Sequence, residues 1–508
     1  MALTVISCLS MQAVTFDPDV RYSKEVINSR MTSWKNKSNT VGFPNDSSLN
    51  GSTTPSTAAS WDYVPGVVAK GILDVWDYYQ DYRWAYPWYA GLSSWALSKT
   101  AKNTGGSLDD LNCTKVYFGI YDGCKSGGKF EDSDNASYCK TQMGRGATGL
   151  AAHKSSYKIT GTGTTADGGW YHKSDYTKQM WCDGAYMGPA LLAQLIAYDG
   201  LGGASLGWSD VMNQFTASWG GLWDEDADLL WHCFSTDQSS GGASGWVYSP
   251  GQVAQGGGYH SAEYWSRANG WYIMALVDAM EAMEAVGKTD GDDDFDTLKG
   301  YLEKLSAGLV ARQDATTGCW YQLLQYGSSK CATQGTDATG SSTYKNVSSG
   351  GTFCNYLESS GSCLITAALL KGSRLGYISQ WDAGKRGYEG IVDKFLTGTS
   401  GSYQVTKSCE SAGLGSDRNG SAAYYLIGRD VTVNNGSEGK ALGPFLMAAV
   451  EYERKYMSLP PDEEKGDPGY TGGGGGDPDP EPDPDPEPDP EPGDPVVSDC
   501  RCLRVVVE

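Results

Sequence analysis

The sequence predicts an all-helical fold, on three observations. Apolar residues recur at three- and four-residue spacing in one stretch after another. Gly-rich segments separate those stretches, and the two-residue alternation of a half-buried strand is scarce.

The first strong helix follows Pro65, where Val68, Ile72, Val75, Trp76 and Tyr79 form one apolar stripe. A second runs near Ala85 to Leu97. From Asn103 to Gly169 the pattern weakens among many Gly and Ser, which predicts loops interrupted by one helix near Thr141 to Ala152. Gly188 and Pro189 then signal a helix start, because Pro at the first helical position gives up an N–H that has no intrahelical partner. Met187, Leu191, Leu195 and Tyr198 carry its stripe, and Gly200 closes it. The longest periodic stretch is Ala262 to Val286, with Ala268, Tyr272, Ala275, Ala279 and Met283 on one face and Gly287 as its stop. Further helices are predicted around Phe295 to Gln313, Leu357 to Leu375, Asp382 to Leu396 and Glu438 to Tyr456.

The flanks read differently. The N-terminus, MALTVISCLSMQAVTF, resembles the apolar part of an export signal without its basic beginning, and the signal is placed at residues 1–14; an ordinary apolar N-terminus is the other reading, and Val5 to Cys8 fits a lipidation box. Met31 to Ser60 is a Ser/Thr/Asn/Gly-rich lead-in to a domain placed at 15–459. Residues 460–495 hold a Gly run and then alternating Pro and acid, which extends the chain and forbids a packed core. This linker implies a tethered module, although 496–508 is too short to fold alone.

Composition narrows the function. A net charge of −22 over 508 residues argues against nucleic-acid or anionic-membrane partners. No apolar run reaches the ~18 residues of a helical membrane span. With 17 Trp and 32 Tyr against 10 Phe, the aromatic supply favours rings with a polar handle, which suit wet concave sites such as sugar subsites. The 13 Cys lack metal-ligand spacing and no HExxH is present, so neither a metal nor a cofactor is expected. Cys113, Cys124 and Cys139, or Cys319, Cys331 and Cys354, are candidates for local disulfides in an oxidising, extracytoplasmic setting.

Candidate chemistry concentrates in HKSDYTKQMWCDGAYM, His172 to Met187, just ahead of the Gly188–Pro189 helix start. Asp183 falls in an irregular segment over the end of a helical scaffold, where it reads as a helix-entry cap or as a catalytic acid. A second segment is EYWSRANGWYIMALVDAM, from Glu263. Arg267 lies near the positive end of a helix, which demands a compensating anion. Lys173 and Arg267 together would make a cationic pocket for a substrate carboxylate, walled by Trp181, Trp265 and Trp271 unless those rings are core filling. His172 and His232 stand out among only 4 His, as ligand contacts or as hydrogen-bonding structural residues.

At these residues the sequence resembles the unsaturated rhamnogalacturonyl hydrolases of glycoside hydrolase family 105 and their glucuronyl relatives of family 88. The resemblance runs through WDYVPGVVAKGIL at Trp61, GGWYHK, QMWCDGAYM, YWSRANGWYIMALVDAM, GCWYQLL at Gly318, NYLESSGSCLITAALLKGSRLGY at Asn355 and KALGPFLMAAVEYER. It implies an (α/α)6 barrel of two concentric helix rings. It also implies hydration of the C4=C5 double bond that polysaccharide lyases leave in a terminal uronic acid, releasing that sugar from an oligosaccharide. Asp183 would protonate C4 and assist water attack at C5, which asks for a raised carboxyl pKa; Met180 and Trp181 would supply the apolar setting. His172, Lys173 and Arg267 would contact the uronate, and Tyr63, His232, Trp265 and Trp271 would line the subsite. A second acid is expected about six residues before a Gly-Lys pair, which points to Asp122 ahead of Gly128–Lys129, with Asp134 as the alternative. Cys182 and Ser266 depart from the family's usual residues and would reshape the pocket. Rhamnogalacturonan from pectin is the leading substrate; glucuronyl oligomers from ulvan or glycosaminoglycans, and a non-catalytic carbohydrate-binding barrel, are the alternatives.

Overall fold

A computed structural model describes residues 12–34, 61–239, 245–246, 258–436 and 438–466. Helices dominate it and close into two rings. The inner ring is Tyr63–Tyr79, the segment 108–124, the paired helices Cys182–Met187 and Pro189–Ala197, then Ser266–Ala285, Ser359–Arg374 and Gly439–Tyr456. Each packs on the next, and Gly439–Tyr456 returns to Tyr63–Tyr79. Outside lie Tyr22–Trp34, Tyr86–Leu97, Ser133–Ser156, Trp208–Leu222, Asp293–Ala311 and Trp381–Phe395, each against its inner neighbour. Inner and outer helices alternate along the chain, which is the (α/α)6 arrangement.

Burial separates the rings. In Ser266–Ala285 almost every residue is buried, as expected for a helix covered on all sides. In the outer Trp381–Phe395 one face is buried and the other carries Asp382, Lys385, Arg386 and Lys394. Glycine lets inner helices approach: a Cβ at Gly71 would sit 2.5 Å from the Gly443 carbonyl oxygen, and one at Gly443 would fall on the Val67 carbonyl.

That close approach also explains a misread stretch. Residues 103–169, expected to be mostly loop, hold Leu108–Asn112, a 3-10 turn, Val116–Cys124 and the long Ser133–Ser156. Their glycines are contact points: a Cβ at Gly123 would strike Tyr89, and one at Gly146 would strike Thr114. Tyr22–Trp34, Trp208–Leu222 and the short Ala422–Ile427 also lie outside the helices the periodicity predicts.

Short antiparallel strands edge the barrel. Gln179–Trp181 pairs with Cys233–Ser235, which pairs with Tyr259–His260. Cys331–Thr333 pairs with Thr352–Cys354, and the Cys331–Cys354 disulfide joins them. Cys124, Cys139 and Cys319 carry free, buried thiols, and Cys331–Cys354 is the bridge among the described residues.

The domain edges differ slightly from the sequence boundaries. Ala13 pairs with Thr397 and the Val14 N–H donates to the Leu396 carbonyl at 3.2 Å, so the end of the 1–14 stretch belongs to the folded domain. At the other end the Tyr82 hydroxyl donates to the Pro460 carbonyl at 2.9 Å and Lys24 pairs with Glu464 at 3.3 Å, so the domain extends past Leu459. The remaining export-signal stretch, residues 35–60 of the lead-in, and the linker and stub from 467 onward lie outside the described residues. Among the described residues no helix is long and apolar enough to cross a membrane.

The lower barrel is closed by buried ion pairs. Lys371 Nζ lies 2.8 Å from Asp278 Oδ1 and 2.6 Å from Glu281 Oε2, and Lys70 lies 2.8 Å from Asp74. Lys115 donates to the Tyr186 carbonyl at 2.9 Å and sits 3.4 Å over that ring. Burial pushes its ammonium down to about 7, because the neutral amine is the cheaper buried form.

Candidate active site

The inner helices present their N-termini to one end of the barrel, where the candidate residues gather. Tyr63, at the start of the first, feels the charges of Asp109, Arg267, Glu438 and Asp183, each at the start of another inner segment. Burial chiefly, and then Asp109, raise its phenol well above the usual range.

Strand pairing sets Asp183. Trp181 lies opposite Cys233 in the two-strand register, and the Cys182 N–H donates to the His232 carbonyl at 3.1 Å. Asp183 therefore enters the first turn of Cys182–Met187 beside His232, rather than an irregular segment. Its Oδ2 faces His232 Nε2 at 3.5 Å, an electrostatic contact without the alignment of a formed hydrogen bond. The other imidazole nitrogen lies 2.7 Å from the Tyr425 hydroxyl. Trp181 packs edge-on to His232 at 4.8 Å, and Trp265 lies 4.7 Å from it.

The charges here set the protonation states. Burial alone would raise the Asp183 carboxyl, but His232, then His172 and Arg267, outweigh it and hold the pKa below the ordinary value. The raised pKa expected from the sequence is therefore not produced by the protein's own groups. Burial lowers the His232 pKa against the opposing pull of Asp183.

His172 and Lys173 share one partner that sequence reading passed over. His172 Nε2 is 3.3 Å and Lys173 Nζ 2.6 Å from the two oxygens of Asp109. Burial opposes ionisation of Asp109, but His172 and Lys173 hold its carboxyl far below the usual range. The Leu108 N–H donating to the His172 carbonyl, at 3.1 Å, fixes this meeting. Asp109 thus stands beside His172 and Lys173, where spacing predicts Asp122. Asp122 instead lies at the far end of Val116–Cys124, paired with Lys125 at 2.7 Å and accepting from Tyr198. Asp134 is exposed in the first turn of an outer helix. The LDD run around Asp109 carries too little pattern to be found alone. What marks it is an acid just inside an inner helix N-terminus.

Arg267 is buried, and the protein meets part of its demand for an anion. Nη1 donates to Ser360 Oγ at 3.0 Å and to the Cys409 carbonyl at 2.5 Å, and the guanidinium lies 4.4 Å over Trp265. Glu358 and Glu438 contribute the compensating negative charge. Both are helix-entry acids: Glu358 accepts from the Ser360 and Gly361 N–H groups at 3.1 and 2.7 Å, and Glu438 from Lys440 N–H at 2.9 Å. Such a cap is legible from an acid ahead of Ser-Ser-Gly, but its link to Arg267 is not.

Other expectations meet mixed outcomes. Trp271 is buried one turn below Arg267, between Tyr186 at 4.6 Å and Tyr63 at 6.3 Å. Met180 is buried with its sulfur against Gly169, and it lines a small cavity together with Trp170, Trp181 and Ala185. Cys182 Sγ points to the Trp231 carbonyl at 3.1 Å, and Ser266 packs on Gly361. Both unusual residues face the core rather than the pocket.

The sequence matches the family described as Glycosyl Hydrolase Family 88 over residues 37–347 and 341–456. It belongs to that family. As a family 88 protein the chain is a glycoside hydrolase, of the unsaturated-uronyl kind its motifs indicate. It is similar to a solved family 105 glycoside hydrolase of C. acetobutylicum, with 25% identity, 86% of this chain and 100% of that one covered, and a TM-score of 0.60. A family 88 glycosyl hydrolase of Bacteroides vulgatus shares the fold at 13% identity, covering 86% of this chain and 99% of that one, with a TM-score of 0.51. In sequence the family 88 chain is 29% identical over 204 residues to the 24.9 kDa protein in the picA locus of Rhizobium radiobacter, which covers 38% of this chain and 72% of that one.

Glu263, two residues before Trp265, gives a pH prediction. Burial raises its carboxyl to about 7 from 4.5, against the lowering pull of Lys330, and it accepts from Gln325. An acid with a raised folded pKa stabilises below its unfolded pKa and loses that contribution as pH rises through the folded value. Unfolding free energy is therefore expected to fall from this group by up to about 1.4 kcal/mol per pH unit across that window. Urea unfolding at a series of pH values should show the slope in the parent and its loss in Glu263→Gln.

Proposed function

We propose that this glycosidase removes the 4,5-unsaturated galacturonyl residue from the non-reducing end of lyase-generated rhamnogalacturonan oligosaccharides by hydrating its double bond. The observation that carries the reading is the meeting of Asp183, His232 and Arg267 at the N-terminal mouth of the inner ring, with Asp109, His172 and Lys173 beside them.

Arg267 and His172 draw the substrate carboxylate, and Trp181 and Trp265 give apolar faces for the sugar ring. The bound uronate brings a negative charge towards Asp183 and displaces water, and both changes raise its pKa. Asp183, kept ionised by its protein neighbours, then takes up a proton as the anionic substrate binds. It delivers that proton to C4, and water adds its oxygen to C5 as the carboxylate accepts the water's proton. The resulting hemiketal opens to a ketone at C5, and C1, now a hemiacetal, expels the leaving sugar. His232, held through Nδ1 by Tyr425, keeps Asp183 aimed. The bridged Cys331–Cys354 hairpin supports action in an oxidising, extracytoplasmic compartment.

Purified protein incubated with the unsaturated rhamnogalacturonan disaccharide is expected to abolish the enol-ether ultraviolet absorbance. Unsaturated glucuronyl disaccharides in parallel should react more slowly. Faster loss with the glucuronyl sugars would move the substrate assignment, and no loss with any uronide would leave only a carbohydrate-binding barrel.

A further inference from the structure

Two buried thiols meet away from the catalytic mouth. Cys124 ends the inner helix Val116–Cys124, and Cys139 lies in the outer helix Ser133–Ser156. The turn between them brings the second helix back along the first. The Asp132 N–H donates to the Cys124 carbonyl at 2.8 Å, and farther from the turn Tyr117 meets Tyr138 with ring centroids 6.3 Å apart. The two helices are therefore antiparallel. Helical side chains lean towards their own N-terminus, so Cys124 leans away from the turn and Cys139 leans back towards it. These directions converge, and the two sulfurs stand in hydrogen-bond contact.

Other buried thiols are placed differently. Cys182, Cys319 and Cys409 donate to the carbonyls of Trp231, Thr317 and Ser411 at 3.1, 3.7 and 3.3 Å. A backbone carbonyl satisfies an S–H and offers it no partner for oxidation. Cys124 and Cys139 have each other. Tyr89 covers this corner of the core: its ring fills the place of a Gly123 Cβ, and its hydroxyl donates to the Ile120 carbonyl at 3.0 Å.

We infer that Cys124 and Cys139 form a second disulfide site, closed in an oxidising compartment and tying the inner segment that carries Asp109 to its outer neighbour. The Sγ–Sγ bond forms as the two thiols pass two electrons and two protons to a disulfide oxidant, of the glutathione or protein-dithiol class, whose own S–S bond breaks to two thiols. Both sulfurs are buried in the folded chain, so the exchange belongs to folding, before the helices close over them. A bridge across about 15 residues removes freedom from the unfolded chain and so favours the folded one. The inference does not depend on which sugar the mouth accepts.

Peptide mapping tests it. The full chain, secreted into an oxidising medium, would be alkylated under denaturing conditions without reductant and digested. The Cys124 and Cys139 peptides should appear joined, lighter by two hydrogens than the free pair, and should separate on reduction. The Cys331–Cys354 link in the same digest verifies that the conditions oxidise. Alkylated Cys124 and Cys139, or either one joined to Cys113 instead, overturns the inference. Melting temperature supplies a second readout, in a Cys331→Ser/Cys354→Ser background that removes the known bridge. Protein made under oxidising conditions should melt about 3 °C above the same protein made under reducing conditions. Adding Cys124→Ser and Cys139→Ser should erase that difference, which a contact between two thiols would not produce. Equal melting temperatures for the oxidised and reduced preparations also overturn the inference.

Discussion

Asp183→Asn is expected to lower kcat on unsaturated uronides by about a thousandfold or more while leaving the fold intact. Removing a positioned general acid costs roughly 10²–10⁴-fold, and Asp183 is asked to serve as acid to C4 and base to water in turn. Asn matches its shape but carries no transferable proton. Its neighbours would tolerate the change, because His232 keeps its 2.7 Å contact with Tyr425 and the Trp181–Cys233 strand register does not involve the carboxylate. KM should move little, since Arg267 and His172 remain. Single-turnover loss of the enol-ether absorbance, with circular dichroism as the control for folding, checks this. A variant turning over within about tenfold of the parent would remove Asp183 from the role of acid.

The pH dependence has a definite sign. His232, His172 and Arg267 hold Asp183 ionised, so the proton it needs must be acquired with the substrate. The reaction should therefore slow as pH rises through the pKa of Asp183 in the complex. In a variant of Arg267 that loses its charge, the Asp183 pKa rises and this limb shifts to higher pH, even though binding weakens.

Much of the barrel was readable because inner helices are marked by long apolar periodicity. Ser266–Ala285, Ser359–Arg374 and Gly439–Tyr456 fall within a few residues of the helices predicted for them. Reading failed where contact replaces hydrophobicity. Gly123, Gly146 and Gly149 resemble loop residues in sequence, yet each sits in a helix because a neighbouring side chain occupies the place of its Cβ. The site divided along the same line. Asp183, His172, Lys173 and Arg267 stand in dense local motifs, and the structure gathers them with His232 and Tyr63. Asp109, Glu358, Glu438 and Tyr425 matter through partners 63 or more residues away, and no local spacing records that; Asp109, for example, meets His172 across the strand-like pairing of Ser107 with Lys173. Spacing alone points to Asp122, but Asp122 lies near the C-terminal end of the nine-residue helix Val116–Cys124.

Glu358→Ala is expected to be the most destabilising single change at the mouth, by about 4 kcal/mol. The side chain is fully buried and its two oxygens accept from four donors: the Ser360 N–H and hydroxyl, the Gly361 N–H at 2.7 Å and the Cys409 N–H at 2.8 Å. Losing the helix cap costs about 1 kcal/mol, and each buried N–H left without a partner costs roughly 1–3 kcal/mol. The damage spreads by geometry. Ser360 Oγ and the Cys409 carbonyl are the two acceptors of Arg267 Nη1, so the residue expected to hold the uronate loses its bracing as well as a nearby counter-charge. Glu358→Gln keeps one acceptor and the shape, and should cost about half as much. Urea unfolding midpoints should therefore fall in the order parent, Gln, Ala, with KM rising in the same order. A Glu358→Ala protein as stable as the parent would mean that Arg267 and the helix entry are held by something other than this carboxyl.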